Sequence, residues 1–88
     1  MASYNIRWKK SAAHDVRKLP PDLLSRILEA VKELSKDPYE PGTRKLVGTD
    51  RTFRFRVGDH RIVYNIGVSL REIEIVRVAH RREVYRSK

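Results

Sequence analysis

Cysteine is absent from the 88-residue chain. This absence excludes disulfide bonds and thiolate metal sites, and it fits a protein of the reducing cytoplasm. Long apolar runs are also absent, and Met1–Lys10 holds polar and charged residues. We therefore expect no signal peptide, no transmembrane helix and no membrane association. The length allows a single domain over residues 1–88 with a thin hydrophobic core.

The sequence also lacks the usual signatures of metal and cofactor sites. It has no glycine-rich phosphate-binding loop and no nucleophile elbow. The histidines show no metal-ligand spacing and no accompanying cysteine or carboxylate pair: His14, His60 and His80. Glu72 and Glu74 are expected on the outer face of a strand, or paired with Arg71 and Arg77. The sequence therefore predicts no metal and no small-molecule cofactor.

Positive charge is in clear excess. Twenty Lys and Arg residues stand against eleven Asp and Glu residues, which gives a formal net charge of +9. A protein with this excess is expected to bind polyanions, either nucleic acid and the ribosome or an acidic protein partner, and the two are not exclusive. The alternative is a charged surface that only maintains solubility.

The first half of the chain predicts a strand followed by two helices. Three apolar residues alternate with polar ones, as in a short strand: Tyr4, Ile6 and Trp8. Ser11 is placed to cap a first helix, and Pro20-Pro21 ends that helix and starts another. The second helix carries a wide apolar stripe: Leu23, Leu24, Ile27, Leu28, Val31 and Leu34. Asp37-Pro38 ends it, so the helices form an antiparallel hairpin.

The second half predicts strands. Tyr39–Thr43 is a loop, and two alternating segments then flank Gly58-Asp59, a pair that suits a type II′ turn. A last strand runs from about Arg71 to Val78 with apolar residues on both faces, as in an interior strand. We predict an α+β fold with an N-terminal strand and an antiparallel two-helix hairpin. The hairpin packs on a twisted antiparallel sheet of about four strands, and His80–Lys88 forms a short tail or helix.

A two-residue turn fixes the register of the predicted hairpin. One face then collects four residues that can pack on the helices: Phe53, Phe55, Ile62 and Tyr64. The other face collects Arg54, Arg56 and Arg61, with Arg56 directly opposite Arg61. Like charges opposite one another destabilise a sheet, so these arginines indicate a site for an anion such as phosphate. The alternative is a solvated face whose charges rotate apart.

A second basic cluster follows the last predicted strand. His80–Arg86 contains an imidazole, three guanidinium groups and a phenol. Cleavage of RNA needs a group that takes the 2′-hydroxyl proton, positive charge on the phosphate, and a donor to the leaving oxygen. His80, Arg81 and Tyr85 can supply these functions. The alternative is a structural histidine followed by a solvated basic tail that the tyrosine anchors.

Three segments carry a family resemblance: Lys45–Gly48, Phe53–Tyr64 and Val76–Tyr85. Together with the N-terminal strand and helices, they resemble the RelE branch of the RelE/ParE toxin superfamily over nearly the whole chain. The resemblance implies a toxin of a type II toxin–antitoxin module with a cognate antitoxin. It also implies an enzyme that binds the ribosome, cuts messenger RNA without a metal, and so inhibits translation.

The resemblance also implies roles for particular residues. It places family residues at Arg54, Arg56, Arg61, Arg81 and Tyr85. We predict a catalytic set of Arg61, His80, Arg81 and Tyr85 and an RNA- or phosphate-binding set of Lys45, Arg54, Arg56 and Arg82. The known pattern has lysines where this chain has Arg54 and Arg56, and arginine is a poor general base. His80 is therefore the expected proton-transfer group, with Tyr85 as the alternative.

Two other functions remain open at the level of sequence. ParE-like members of the same superfamily inhibit DNA gyrase without nuclease activity. A degenerate member would only bind RNA or a protein partner. The arginines of the hairpin favour the endoribonuclease.

Overall fold

The computed structural model describes residues 3–46, 48–49, 51–67 and 71–80. A strand, two helices and four further strands follow one another along the chain: β1 Asn5–Trp8, α1 Lys10–Arg17, α2 Pro21–Lys36, β2 Thr43–Lys45, β3 Thr52–Val57, β4 His60–Gly67 and β5 Glu72–His80. This order confirms the predicted α+β class. Within these residues no helix has the length and apolar character needed to cross a membrane.

The sheet has five strands in the order β1-β5-β4-β3-β2 and is mixed, so the prediction of about four antiparallel strands was wrong in two respects. The additional strand is β2, which begins at Thr43, where only a loop was predicted, and pairs antiparallel with β3. The second difference is β1, which lies parallel to β5. The helices and three strands separate β1 from β5 in sequence, which gives the chain the long connection that a parallel pair requires.

The hydrophobic core lies between the two helices and one face of the sheet, called here the helix side. Ile27, Val31 and Leu34 of α2 are buried against inward-facing residues of the strands, including Ile62 and Tyr64. Leu28 belonged to the predicted stripe but is 48% exposed. The apolar stripe of α2 is therefore wider than the surface that the sheet covers.

A β-bulge in β5 explains why its apolar residues seemed to occupy both faces. Val63 of β4 pairs with Arg77, whereas the next residue, Tyr64, pairs with Ile75, so Val76 has no partner on β4. An extra residue shifts the alternation of a strand by one position. Ile75 and Val78 can then both be buried on the helix side.

Helix α1 covers the edge of β5 beyond the last pair with β1. The prediction that Ser11 caps this helix was wrong. Its Oγ instead donates to the carbonyl oxygen of Val76 at 2.6 Å. Asp15 Oδ2 accepts the backbone N–H of Val78 at 2.8 Å. These contacts satisfy backbone groups that a sheet edge would otherwise expose.

Tyr64 joins the sheet to the loop after α2. Its side chain is fully buried, and its hydroxyl donates a hydrogen bond of 2.7 Å to the carbonyl oxygen of Pro38. Burial raises the pKa of Tyr64 well above its ordinary value, so the phenol stays protonated and keeps donating throughout the physiological range.

Replacement of Tyr64 by phenylalanine is expected to lower the free energy of unfolding by about 1–2 kcal/mol, because it leaves the carbonyl of Pro38 without a donor. Chemical denaturation measures the change. Tyr39→Phe is the matched control, because Tyr39 is 54% exposed and its loss should stay within about 0.5 kcal/mol. Equal losses in the two variants would contradict a structural role for the buried hydroxyl.

Candidate functional site

The β3–β4 hairpin has the register that the sequence predicts. Arg56 pairs with Arg61, and Val57 pairs with His60. Gly58 has a φ of +61°, while Asp59 does not have a positive φ. Positive φ at the first turn residue alone is the mark of a type II′ turn. The turn therefore holds the two strands in the register that places arginines opposite one another.

Arg54, Arg56 and Arg61 project from the sheet side opposite the helices, called here the arginine face. Arg61 is only 9% exposed. Its flanking residues on this face are Val63 along the strand and Ala79 across it, and both are buried. Charges interact more strongly in such apolar surroundings than in water.

Among the described residues, the Arg61 guanidinium has one hydrogen-bond partner. Nη1 donates to the carbonyl oxygen of His60 at 3.4 Å, which is a long contact. No carboxylate of the described residues lies within 4.0 Å of Arg61. A buried charge without an opposite charge is costly, so Arg61 provides a favourable position for an anion.

Arg56 is exposed, and its Nε donates to the carbonyl oxygen of Gly58 at 3.0 Å. That bond ties the side chain to the hairpin turn and keeps it near Arg61. Two guanidinium groups on neighbouring strands can both donate to one phosphate. The pair can therefore present two guanidinium groups to a single anion.

Farther from the turn, acidic and basic side chains of the same face neutralise one another. Beyond the arginines a hydrogen-bonded row crosses four strands. Thr52 Oγ1 donates to Asn65 Oδ1 at 2.6 Å, Asn65 Nδ2 donates to Glu74 Oε1 at 3.2 Å, and Arg7 Nη2 donates to Glu74 Oε2 at 2.8 Å. The Asn65 hydrogen bond and then Arg7 lower the pKa of Glu74 below its ordinary value. This end of the face is neutralised internally.

Glu72 and Glu74 lie on the outer face of the sheet, as one of the two alternatives predicted, and the other alternative, pairing with Arg71 and Arg77, was wrong. Glu72 and Glu74 both pair with Arg7, at 3.6 and 2.8 Å, because β1 lies beside β5. Arg77 instead pairs with Asp15, at 2.8 Å from Nε to Oδ2. Helix α1 thus neutralises Arg77, although this residue lies in line with Arg54 on the arginine face.

The sequence reading missed Arg44. This residue lies on β2 directly opposite Arg54, so it belongs to the arginine face. Lys45, which was predicted to bind phosphate, pairs with Phe53 and lies on the helix side. Only the pairing of β2 with β3 distinguishes these neighbouring basic residues, and that strand was not predicted.

His80 is the last residue of β5 and pairs with His60. The two imidazole rings meet edge to face with centroids 5.5 Å apart. Because His60 shares the pleat of Ile62, both histidines lie on the helix side, beside an open cavity of about 360 Å³ that Asp22 and Arg26 also line. The register therefore puts His80 and Arg61 on opposite faces.

The remaining predicted site residues, Arg81, Arg82 and Tyr85, lie outside the described residues. Across the part of the chain that the structure describes, no group of three or more histidine, cysteine, aspartate or glutamate side chains could hold a metal ion.

The sequence is similar to a family of toxins and to individual toxins. The model of a family described as "ParE toxin of type II toxin-antitoxin system, parDE" matches residues 6–85. Toxin RelG of Mycobacterium tuberculosis is 37% identical over 87 residues, which cover 94% of this chain and 97% of the relative. Putative toxin RelE1 of Methanocaldococcus jannaschii is 26% identical and covers 96% of this chain and 97% of its own.

Solved structures give the same result. The toxin–antitoxin complex RelBE2 from Mycobacterium tuberculosis contains a chain with 33% identity and a TM-score of 0.80, covering 91% of this chain and 93% of that one. The archaeal RelE–RelB complex from Pyrococcus horikoshii gives 26% identity and a TM-score of 0.79, covering 90% and 96%. The chain therefore belongs to the RelE/ParE superfamily of toxins of type II toxin–antitoxin systems.

Proposed function

We propose that the protein is a ribosome-dependent endoribonuclease that cuts messenger RNA in the cytoplasm and so inhibits translation. The observation that carries this proposal is the arginine face, in which a buried Arg61 lies opposite Arg56 and no described carboxylate pairs with it. The similarity to toxins named RelG and RelE supports the same assignment.

The proposed reaction is a transesterification within the RNA. The ribose 2′-oxygen attacks the adjacent phosphorus, and the bond from phosphorus to the 5′-oxygen of the next nucleotide breaks. The products are a 2′,3′-cyclic phosphate and a 5′-hydroxyl. Arg54, Arg56 and Arg61, with Arg81 as predicted from sequence, stabilise the negative charge that develops on the phosphate.

Proton transfer needs a different kind of group, because arginine stays protonated in proteins. The candidates from sequence are His80 and Tyr85. His80 lies at the C-terminal end of β5, one residue beyond Ala79, which is on the arginine face. His80 itself points to the helix side, so its role requires the substrate to extend past the end of the sheet. The ribosome, which holds the messenger in a strained path, is the other source of this chemistry.

One observation favours a second candidate function. The family that matches residues 6–85 is described as ParE toxin, and ParE-like proteins resemble this chain in fold. A gyrase inhibitor would block supercoiling and leave ribosome-bound messenger intact. A supercoiling assay run beside toeprinting of ribosome-bound mRNA with the purified protein separates the two functions.

A cognate antitoxin is the proposed protein partner. The two similar solved structures named above are complexes of a toxin with its antitoxin. A formal charge of +9 favours an acidic or amphipathic segment that covers the arginine face or the helices.

The first functional prediction concerns the opposed arginines. Arg56→Ala and Arg61→Ala should each lower the rate of mRNA cleavage by about 10²–10³-fold, because each removes a donor to the transition state. Both variants should keep or slightly raise the melting temperature, since a like-charge pair is relieved. Lys32→Ala on the exposed side of α2 is the charge-matched control. A marked loss of melting temperature with unchanged cleavage would make these arginines structural.

The second prediction concerns His80. His80→Ala should lower single-turnover cleavage by about 10²–10⁴-fold, as expected for a general acid or base, while ribosome binding is retained. The rate should also lose a pH-dependent limb near neutrality. His60→Ala is the matched control, because it removes the neighbouring imidazole that contacts His80 and leaves His80 itself in place. Cleavage by His80→Ala at the wild-type rate would assign proton transfer to Tyr85 or to the ribosome.

The third prediction concerns the antitoxin. Co-expression with the adjacent gene of the native operon should yield a stable complex with a small acidic or amphipathic protein. The association rate should fall as salt is raised, because electrostatic attraction speeds the encounter. A chain that cells tolerate well without any adjacent partner gene would count against this partner.

A further inference from the structure

We propose that Arg44 extends the arginine face into a track for two consecutive phosphates of a single RNA strand. An inner pair, Arg56 and Arg61, holds one phosphate, and an outer pair, Arg44 and Arg54, holds the next. This inference rests on the proposed function, since it takes RNA as the substrate, and it adds a binding residue that the sequence did not indicate.

The register of three strands carries the geometry. Arg44 lies opposite Arg54, and Arg56 lies opposite Arg61, so each pair spans two adjacent strands. Residues opposite one another in an antiparallel pair have Cα atoms about 5 Å apart. Arg54 and Arg56 are two positions apart on β3, which separates the two pairs by about 6.7 Å along the strand. The pairs are also offset by one strand spacing of about 4.8 Å, so their centres lie about 8 Å apart. That separation is comparable to one nucleotide step of an extended strand.

Charge supports the same assignment. Arg44 is exposed, and none of the described residues forms a hydrogen bond or ion pair with it through an acidic side chain. Opposing arginines destabilise a sheet, and the outer pair repeats the arrangement of the inner pair on the adjoining strands. By contrast, Arg7 and Arg77 on this face each have a carboxylate partner within 2.8 Å.

Protection of the sheet edge is the simpler explanation for basic residues on β2, because charged side chains discourage pairing with other chains. Lys45 alone provides that protection, since it is exposed on the same short strand. Edge protection gives no reason to place a second cation opposite Arg54. Binding of a repeated negative charge explains a cation at this position, because a nucleic-acid strand presents one phosphate at every step.

The test uses ribosome-bound mRNA in which one phosphate is replaced by an uncharged methylphosphonate. The replacement is made in turn at the phosphate on either side of the cleaved bond. Cleavage is compared for the wild type, Arg44→Ala, Arg44→Lys, Lys45→Ala and the charge-matched control Lys32→Ala. A matching measurement follows the salt dependence of each protein's binding to a single-stranded RNA oligonucleotide.

With native mRNA, Arg44→Ala should lower kcat/KM by about three- to tenfold, in line with an exposed charge-assisted contact. Arg44→Lys should recover most of this loss, and Lys45→Ala should lose less than Arg44→Ala. Methylphosphonate at one flanking position should lower kcat/KM of the wild type by a similar factor. The same replacement should lower kcat/KM of Arg44→Ala by less than about a further twofold. The salt slope for RNA binding should fall by about 0.7 in Arg44→Ala.

Several results would overturn the proposal. Equal losses from methylphosphonate in the wild type and Arg44→Ala would show that Arg44 does not contact that phosphate. If kcat/KM fell as far in Lys45→Ala as in Arg44→Ala, the effect of Arg44 would be one of nonspecific charge. A change confined to antitoxin binding would assign Arg44 to the protein partner.

Failure of the proposed function gives a different pattern. The wild type would then leave all mRNAs intact, and the salt slope would decide about the track. A slope reduced in Arg44→Ala would retain the track as an RNA-binding surface without nuclease activity, whereas an unchanged slope would reject it.

Discussion

The register of the β3–β4 hairpin is the constraint on which the rest of the molecule depends. The type II′ turn at Gly58 and Asp59 places Arg56 opposite Arg61 on one face and Phe55 opposite Ile62 on the other. A shift by one residue would move charged side chains into the core and aromatic ones out of it. Burial on the helix side therefore forces the arginines together on the opposite side, despite their mutual repulsion.

Some cations of the arginine face have a carboxylate partner within the fold, and others have none among the described residues. Asp15 holds Arg77 and also accepts the N–H of Val78, so one carboxylate completes the sheet edge and neutralises a nearby cation. Glu74 neutralises Arg7 at the other end of the face. Arg61 and Arg44 have no such carboxylate partner among the residues that the structure describes. Unfavourable repulsion concentrated in one place is typical of a binding site rather than a solvated surface.

The position of His80 limits where this protein could transfer a proton. Arginines can stabilise a charged transition state without moving a proton, and the histidine that could move one pairs with His60 on the helix side. The proposed phosphate-binding residues and the proposed proton-transfer residue thus lie on different faces near one end of the sheet. The reaction proposed for this chain therefore depends on how RNA passes the end of β5, and the ribosome can determine that path.

Local interactions allowed much of this protein to be predicted from its sequence. Alternation of apolar residues, the prolines that bound α2 and the glycine of the turn specified the helices, the hairpin and the face of Arg54, Arg56 and Arg61. Tertiary structure alone decided the parallel contact of β1 with β5 and the bulge at Val76. It also decided the pairing of β2 with β3, which places Arg44 rather than Lys45 on the arginine face. It also decided the side on which His80 lies. These features depend on contacts between residues distant in sequence, and hydrophobic periodicity within one segment carries no information about its neighbour in the sheet.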